Sequence, residues 1–414
     1  MLLRNIFILS LVHIVRLVLP LLLIPVLTKR IAADDFGVYM YTISFAAWLA
    51  IFIEYGFNIS STREIACAKD EGQVTSIVAG TQAAKLLLVV ATIPFLFFAA
   101  YLIPVFDGHI FWAVVAWLLG VLTAFSPIYY FQGREKLKVV GYAEVLSGAI
   151  MLGAVYLIIH SSQDFYLLAL IILAARMFSL SILNWRMYRG KYIGLKDLFN
   201  FVEGIDKLKS GFNIFIFQAA VSLYTSFNVV FLGFFCSPVQ VGIYASAERL
   251  MRAGIGFMGQ FSNAIFPRLN AMNADNPLKM EKLRTRVLIG FSILGVCGML
   301  LTWMIAPVIV HYMFAEHAAE VQKIIEILAL IVPAIALSNV LGFQYLLVDR
   351  REKVFNVIIS CAALINVVMA YFLIKNYQIK GMAISWITIE WLITIVIGVT
   401  VFTLSRNRNL ITTG

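Results

Sequence analysis

A near-unbroken succession of apolar runs constrains this chain more than any other feature. The runs fall at about 6–28, 36–58, 76–103, 110–132, 139–159, 165–187, 212–235, 242–266, 286–311, 323–347, 355–374 and 380–403. A helix needs roughly 20 apolar residues to cross the hydrocarbon core of a bilayer. The pattern therefore predicts an all-α polytopic membrane protein with about twelve transmembrane helices. Composition agrees: 13% of residues are charged, against about 25% in an average soluble chain. The first run, MLLRNIFILSLVHIVRLVLPLLLIPVL, has some features of a signal peptide. Its apolar stretch is too long for one and no small-residue cleavage site follows, so it is expected to be a retained first span.

An even number of spans puts both termini on one side. With the N-terminus inside, 22 of the 32 basic residues fall in inner segments and 5 in outer ones; the other 5, Arg16, Lys85, Arg176, Arg249 and Arg252, lie within spans. The positive-inside rule then predicts cytoplasmic termini. The net charge of +10 reads as basic inner loops, and no nucleic-acid partner is expected. The outer connections, such as 104–109 and 160–164, are too short for a folded domain. The longest connection, 188–211, is an inner one. Within it Leu195, Leu198, Phe199, Val202, Ile205 and Leu208 recur at helical spacing, which predicts an amphipathic helix on the inner membrane surface.

This divides the chain into an N-terminal six-helix bundle (1–187), a cytoplasmic amphipathic linker (188–211) and a C-terminal six-helix bundle (212–414). Six spans per half predict a parallel pseudo-repeat. FGVY at 36–39 aligns with VGIY at 241–244, Arg63 with Arg268, and REK at 134–136 with REK at 351–353. The four cysteines, Cys67, Cys236, Cys297 and Cys361, show neither CxxC nor metal-ligand spacing, so no disulfide, metal or cofactor is expected.

Charges inside spans carry the functional information, because each costs a few kcal/mol or more to insert and normally faces a cavity or a partner. In ASAERLMRAG, 245–254, Arg249 and Arg252 share a helix face with Ala245 and Gly256. Guanidinium forks match phosphate oxygens bidentately and stay charged, so pyrophosphate is a natural cargo group. The expected cationic substrate site is Arg16, Lys85, Arg176, Arg249 and Arg252. His13, Glu54, Glu248 and Glu390, the last flanked by Trp386 and Trp391, are candidates for proton or ion coupling. The competing reading pairs Glu248 or Glu390 with an arginine to tie helices together. Gln218, Ser222, Thr225 and Asn228 form a polar stripe suited to a wet cavity wall, or to helix–helix hydrogen bonding. No catalytic residue is identified.

Several stretches carry a family likeness: PLLLIPVLTKRIAADDFGVY at 20–39, FIEYGFNISSTREIA at 52–66, YYFQGREKLK at 129–138, GFNIFIFQAAVSLYTSFNVVFLGFF at 211–235 and VGIYASAERLMRAGIGFMGQFSNAIFPRLN at 241–270. On these the chain resembles, nearly end to end, the Wzx-type O-antigen flippases of the polysaccharide transporter family. That family lies in a superfamily shared with multidrug exporters and lipid II flippases. The chain departs from its pattern at Ile31-Ala32-Ala33, where a Leu-Gly pair is common. The resemblance implies a MATE-like fold of two bundles and a multi-pass location in the bacterial inner membrane. It also implies transport of an undecaprenyl-pyrophosphate-linked glycan by alternating access, driven by ion or proton exchange. Membrane lipid, the polysaccharide polymerase and the chain-length regulator are the further partners it suggests.

Three rival readings remain. A multidrug or cation antiporter of the same fold is disfavoured by the excess of cations within spans, and by His13 and Arg16 where a drug exporter would carry a carboxylate. A membrane glycosyltransferase or polymerase would use an acidic pair such as Asp34-Asp35, which sits where Asp ordinarily caps a helix. A scaffold in a polysaccharide assembly complex would need no buried cations.

Overall fold

The computed structural model describes residues 18–189, 200–275 and 277–412. Among them there are helices and no strands. In chain order they are α1 (Val18–Leu27), α2 (Ala33–Glu54), α3 (Phe57–Cys67), α4 (Glu71–Leu102), α5 (Ile110–Ala124), α6 (Ile128–Gly133), α7 (Leu137–Ile158) and α8 (Phe165–Tyr188). There follow α9 (Phe201–Thr225), α10 (Asn228–Leu232), α11 (Pro238–Asp275), α12 (Pro277–Met313), α13 (Ala318–Leu328), α14 (Ile331–Asn339), a π-helical stretch Val340–Leu347, and α15 (Glu352–Thr412).

Eight helical segments of the described residues are long and apolar enough to cross a membrane. The last of them, within α15, is broken at Gln378 (φ 51°, ψ −130°) and supplies two spans. The seventh and eighth apolar runs are the more polar helices α9 and α11. Bulky apolar side chains such as Tyr101, Leu157, Met304 and Phe402 stand 69–75% exposed on the outside, the surface that lipid covers. The chain is a multi-pass, all-α membrane protein.

Local chemistry explains where the helices stop. At EYGF, Tyr55 and Gly56 both take left-handed backbone (φ 49° and 82°) and end α2 against the start of α3. Glycine adopts that conformation without a Cβ penalty, and Tyr55 is an exception held by its surroundings. Asp70 caps α4 by accepting from the Gln73 N–H at 2.8 Å.

By internal packing the chain forms two compact units: residues 1–242 with 314–316, and residues 243–313 with 317–414. The division falls inside α11, whereas the sequence places it at 188–211. The reason lies in α9. Gly204 presents no side chain to the backbone of Ala83 and Ala84, and Lys207 pairs with Glu64 of α3. Phe215 stacks on Tyr55 at 4.3 Å. The helix that begins within the expected linker is therefore packed into the first unit. Of the amphipathic segment, Val202 and Ile205 are exposed, while Leu195, Leu198 and Phe199 lie outside the described residues.

In the first unit α2 packs along α5, and Tyr129, Phe131, Ile65, Val74, Val78, Leu183 and Met187 form a core at the end bearing the basic loops. Gly37 of α2 and Gly242 of α11 meet directly, because a Cβ on Gly242 would lie 2.9 Å from the Gly37 Cα. These are the two glycines that FGVY and VGIY align. In the second unit α12 packs on α13 and α14, and α15 on α14 and the π-helical stretch.

Candidate functional site

Among the described residues, the intramembrane charges gather into one cluster in each unit. In the first, Lys85 of α4 is 1% exposed. Its ammonium donates to the Ala124 carbonyl at 2.6 Å and sits 4.9 Å over the Tyr129 ring. A carbonyl and a ring face orient a cation without neutralising it. Tyr129 is itself held, since Gln82 donates to its hydroxyl at 3.2 Å. Glu54, at the end of α2, accepts from Asn58 at 3.0 Å and interacts electrostatically with both Lys85 and Arg176. Arg176 of α8 reaches the Thr123 carbonyl at 3.5 Å. Lys85, Arg176 and Glu54, drawn from three helices, thus belong to one cluster.

In the second unit the ASAERLMRAG stretch lies on α11. Glu248 is 5% exposed and accepts from the Arg252 Nε at 2.7 Å. The Arg252 guanidinium lies 4.8 Å over the Trp386 ring of α15. Glu390, one turn beyond Trp386, interacts electrostatically with Arg252, and Arg249 does so with Glu248. The salt bridge joins two residues of the same helix; the tie to α15 is made by the tryptophan face. The Arg252 side chain remains 38% exposed, so it is both anchored and reachable.

The polar stripe belongs to the first unit. Ser222 is buried, and Thr225 donates to the Val221 carbonyl of its own helix at 2.8 Å. Gln218 is half-buried. Asn228 is fully buried, and neither its amide nitrogen nor its amide oxygen has a hydrogen-bond partner. His13 and Arg16 lie outside the described residues. A cleft of about 250 Å³ lined by Ser76, Glu203, Asp206, Lys207 and Ser210 opens beside the start of α9; no candidate residue lines it.

Sequence reasoning missed the aromatic seats. Tyr129 lies in the YYFQGREK stretch and Trp386 beside Glu390, but nothing in either neighbourhood marks them as platforms for Lys85 and Arg252. The Glu248–Arg252 pair did carry a signal: glutamate four residues ahead of arginine is the favourable helical spacing. No group of three or more His, Cys, Asp or Glu able to hold a metal is found among the described residues.

Apolar helices in two units, each with a charged cluster among its described spans, define a polytopic membrane protein with buried charge. A family described as "Polysaccharide biosynthesis protein" matches residues 2–273, and the chain belongs to it. A "Putative O-antigen transporter" of Escherichia coli (strain K12) is 28% identical over 394 residues, 94% of each chain. A Staphylococcus aureus protein, "Capsular polysaccharide biosynthesis protein CapF", is 22% identical over 91% of this chain and 92% of its own. Among solved structures, the lipid II flippase MurJ in an inward closed conformation superposes with a TM-score of 0.74 at 14% identity, covering 95% of this chain and 87% of MurJ. An inward-facing multidrug resistance MATE family transporter of the MOP superfamily gives 0.70 at 15% identity, covering 96% and 95%. The fold is that of this superfamily.

Proposed function

We propose that the chain carries a lipid-linked, pyrophosphate-bearing glycan repeat unit, of O-antigen or a similar polysaccharide, across the bacterial inner membrane by alternating access. The glycan would ride on undecaprenyl pyrophosphate, its lipid tail staying in the bilayer. Arg252 is the observation that carries this reading. Its Nε and Nη2 are held by Glu248 and its face by Trp386, and the side chain stays 38% exposed, within reach of a phosphate oxygen. Lys85 supplies a second, buried positive charge, and Arg249, Arg176 and Arg16 complete the cationic set. Glu248, Glu390, Glu54 and His13 are the groups for ion or proton coupling. Names of full-length relatives support polysaccharide as the cargo class.

The protein acts as a transporter and not an enzyme in this reading. Asp34 and Asp35 stand in the first turn of α2, where carboxylates complement the helix dipole, and Asp34 lies 3.8 Å from His109. The test is deletion in the host, followed by complementation with wild type, Arg249→Ala, Arg252→Ala and Arg16→Ala at matched membrane levels. The expected result is loss of surface polysaccharide with lipid-linked units retained on the inner leaflet, restored by wild type and by none of the arginine variants. Intact surface polysaccharide together with sensitivity to cationic drugs would instead establish the multidrug antiporter.

A further inference from the structure

The two units contain the same backbone turn. In the first, Arg134 N–H donates to the Tyr130 carbonyl at 3.1 Å, Glu135 N–H to Gln132 at 3.0 Å and Lys136 N–H to Phe131 at 2.7 Å. In the second, Asp349 N–H donates to Tyr345 at 3.0 Å, Arg350 N–H to Leu347 at 3.1 Å and Arg351 N–H to Leu346 at 2.8 Å. Every partner is displaced along the chain by one constant offset. The middle residue of each turn is left-handed, Glu135 at φ 55° and Arg350 at φ 57°. This register sets Arg134 against Asp349, two positions away from the match of REK with REK.

Each turn then reaches back to the helix of an earlier apolar run in its unit. Arg134 pairs with Glu71, the first residue of α4. Asp349 accepts from Arg284 of α12 at 2.7 Å. The turn positions correspond, the partners Glu71 and Arg284 lie within two residues of that register, and the charges are exchanged. The second pair is the more enclosed: Arg284 is 1% exposed, bonds Glu281 at 2.9 Å and lies 4.9 Å over the Tyr345 ring.

The residue ahead of each turn's tyrosine also corresponds. Tyr129 receives Gln82 and seats Lys85, both on α4, the helix that Glu71 begins. Gln344 donates to the carbonyl and hydroxyl of Ser262 at 3.1 and 3.2 Å, on α11, the helix that bears Arg249 and Arg252. Each pair therefore fixes the register of a turn whose next contact inward holds a helix carrying candidate cations.

We infer that Glu71–Arg134 and Arg284–Asp349 are charge-reversed copies of one clasp, and that all four are positioning residues for the cations deeper in their units. The export readout rests on the function proposed above; the stability readout does not. The test compares Glu71→Arg, Arg134→Asp and the double variant, which gives the first clasp the polarity of the second. Each is followed by thermal unfolding of the full chain in detergent, and by polysaccharide export per molecule in membranes. Each single variant sets like charges together where an exposed pair stood, a change worth up to about fivefold in an equilibrium, so each should lose up to about fivefold in export and unfold earlier. The double variant should recover to within about twofold of wild type on both measures. Asp349→Asn, which strips a buried guanidinium of one carboxylate, should be harsher than either single variant. A double variant no better than its worse single overturns the clasp. Singles that unfold earlier but export normally per molecule confine the pair to stability and overturn the positioning role. If wild type itself fails to restore export, the proposed function falls, and the unfolding comparison still judges the clasp.

Discussion

Lys85 and Arg252 show how a cation is kept within an apolar span. Neither is left to lipid: one rests on a carbonyl and a tyrosine face, the other on a carboxylate and a tryptophan face. Both arrangements pair the cation with a carboxylate. Removing one partner of a buried charge pair is destabilising, because the other charge stays buried, and Lys85→Met removes the cation facing Glu54. Lys85→Met should therefore unfold earlier and export at least tenfold less per folded molecule; normal export from Lys85→Met would remove Lys85 from the cargo machinery. Glu248→Gln acts from the carboxylate side. It keeps the shape but takes the carboxylate from a partly buried guanidinium, and a hydrogen bond to a charged group is worth about 1.5–3 kcal/mol. The variant should unfold earlier by an amount in that range in chemical denaturation. An unchanged midpoint would mean that Trp386 alone seats Arg252.

Between helices, the closest approach is made by glycine. A Cβ on Gly37 would overlap the Pro238 carbonyl, and one on Gly242 would press on the Gly37 backbone. Backbone cannot move aside as a flexible side chain can, and overpacking of this kind costs about 1–3 kcal/mol. Gly37→Ala and Gly242→Ala should each lower the unfolding temperature and the amount of folded protein in membranes. Gly254→Ala, on the same helix as Gly242 but with nothing within 4 Å, should be silent. Equal tolerance at all three positions would show that α2 and α11 do not cross this closely. The sequence marked both glycines through the FGVY and VGIY match. It gave no hint that they touch, because an internal likeness reports equivalence and not contact. The REK match misled for a related reason: three charged letters recurred, while backbone hydrogen bonding set the true register two residues away.

Across the whole molecule, what was legible tracks what bilayer physics makes local. Span positions follow from run lengths, since each helix must satisfy its own backbone in lipid, and the described helices fall on the expected runs. The grouping of helices into units was not legible, because it depends on which small residues let α9 approach α4, a long-range matter that hydropathy does not encode. The site was half legible: insertion cost betrayed the cations, but not the aromatic rings beneath them. Orientation rests on the distribution of basic residues alone, and it makes a prediction of its own. The end of the first unit that carries the basic loops also carries the exposed Cys67, the last residue of α3. Asp107, in the turn after α4, is exposed at the other end of that helix. With the remaining cysteines replaced, Cys67 in intact cells should resist a membrane-impermeant maleimide and react only after permeabilisation. An Asp107→Cys variant without Cys67 should react in intact cells. Each basic residue near a span end biases insertion, and the 22 to 5 imbalance leaves little room for the inverted arrangement. The reverse labelling pattern would place the basic loops outside. It would also put the clasp formed by Glu71 and Arg134 on the face away from the cytoplasm.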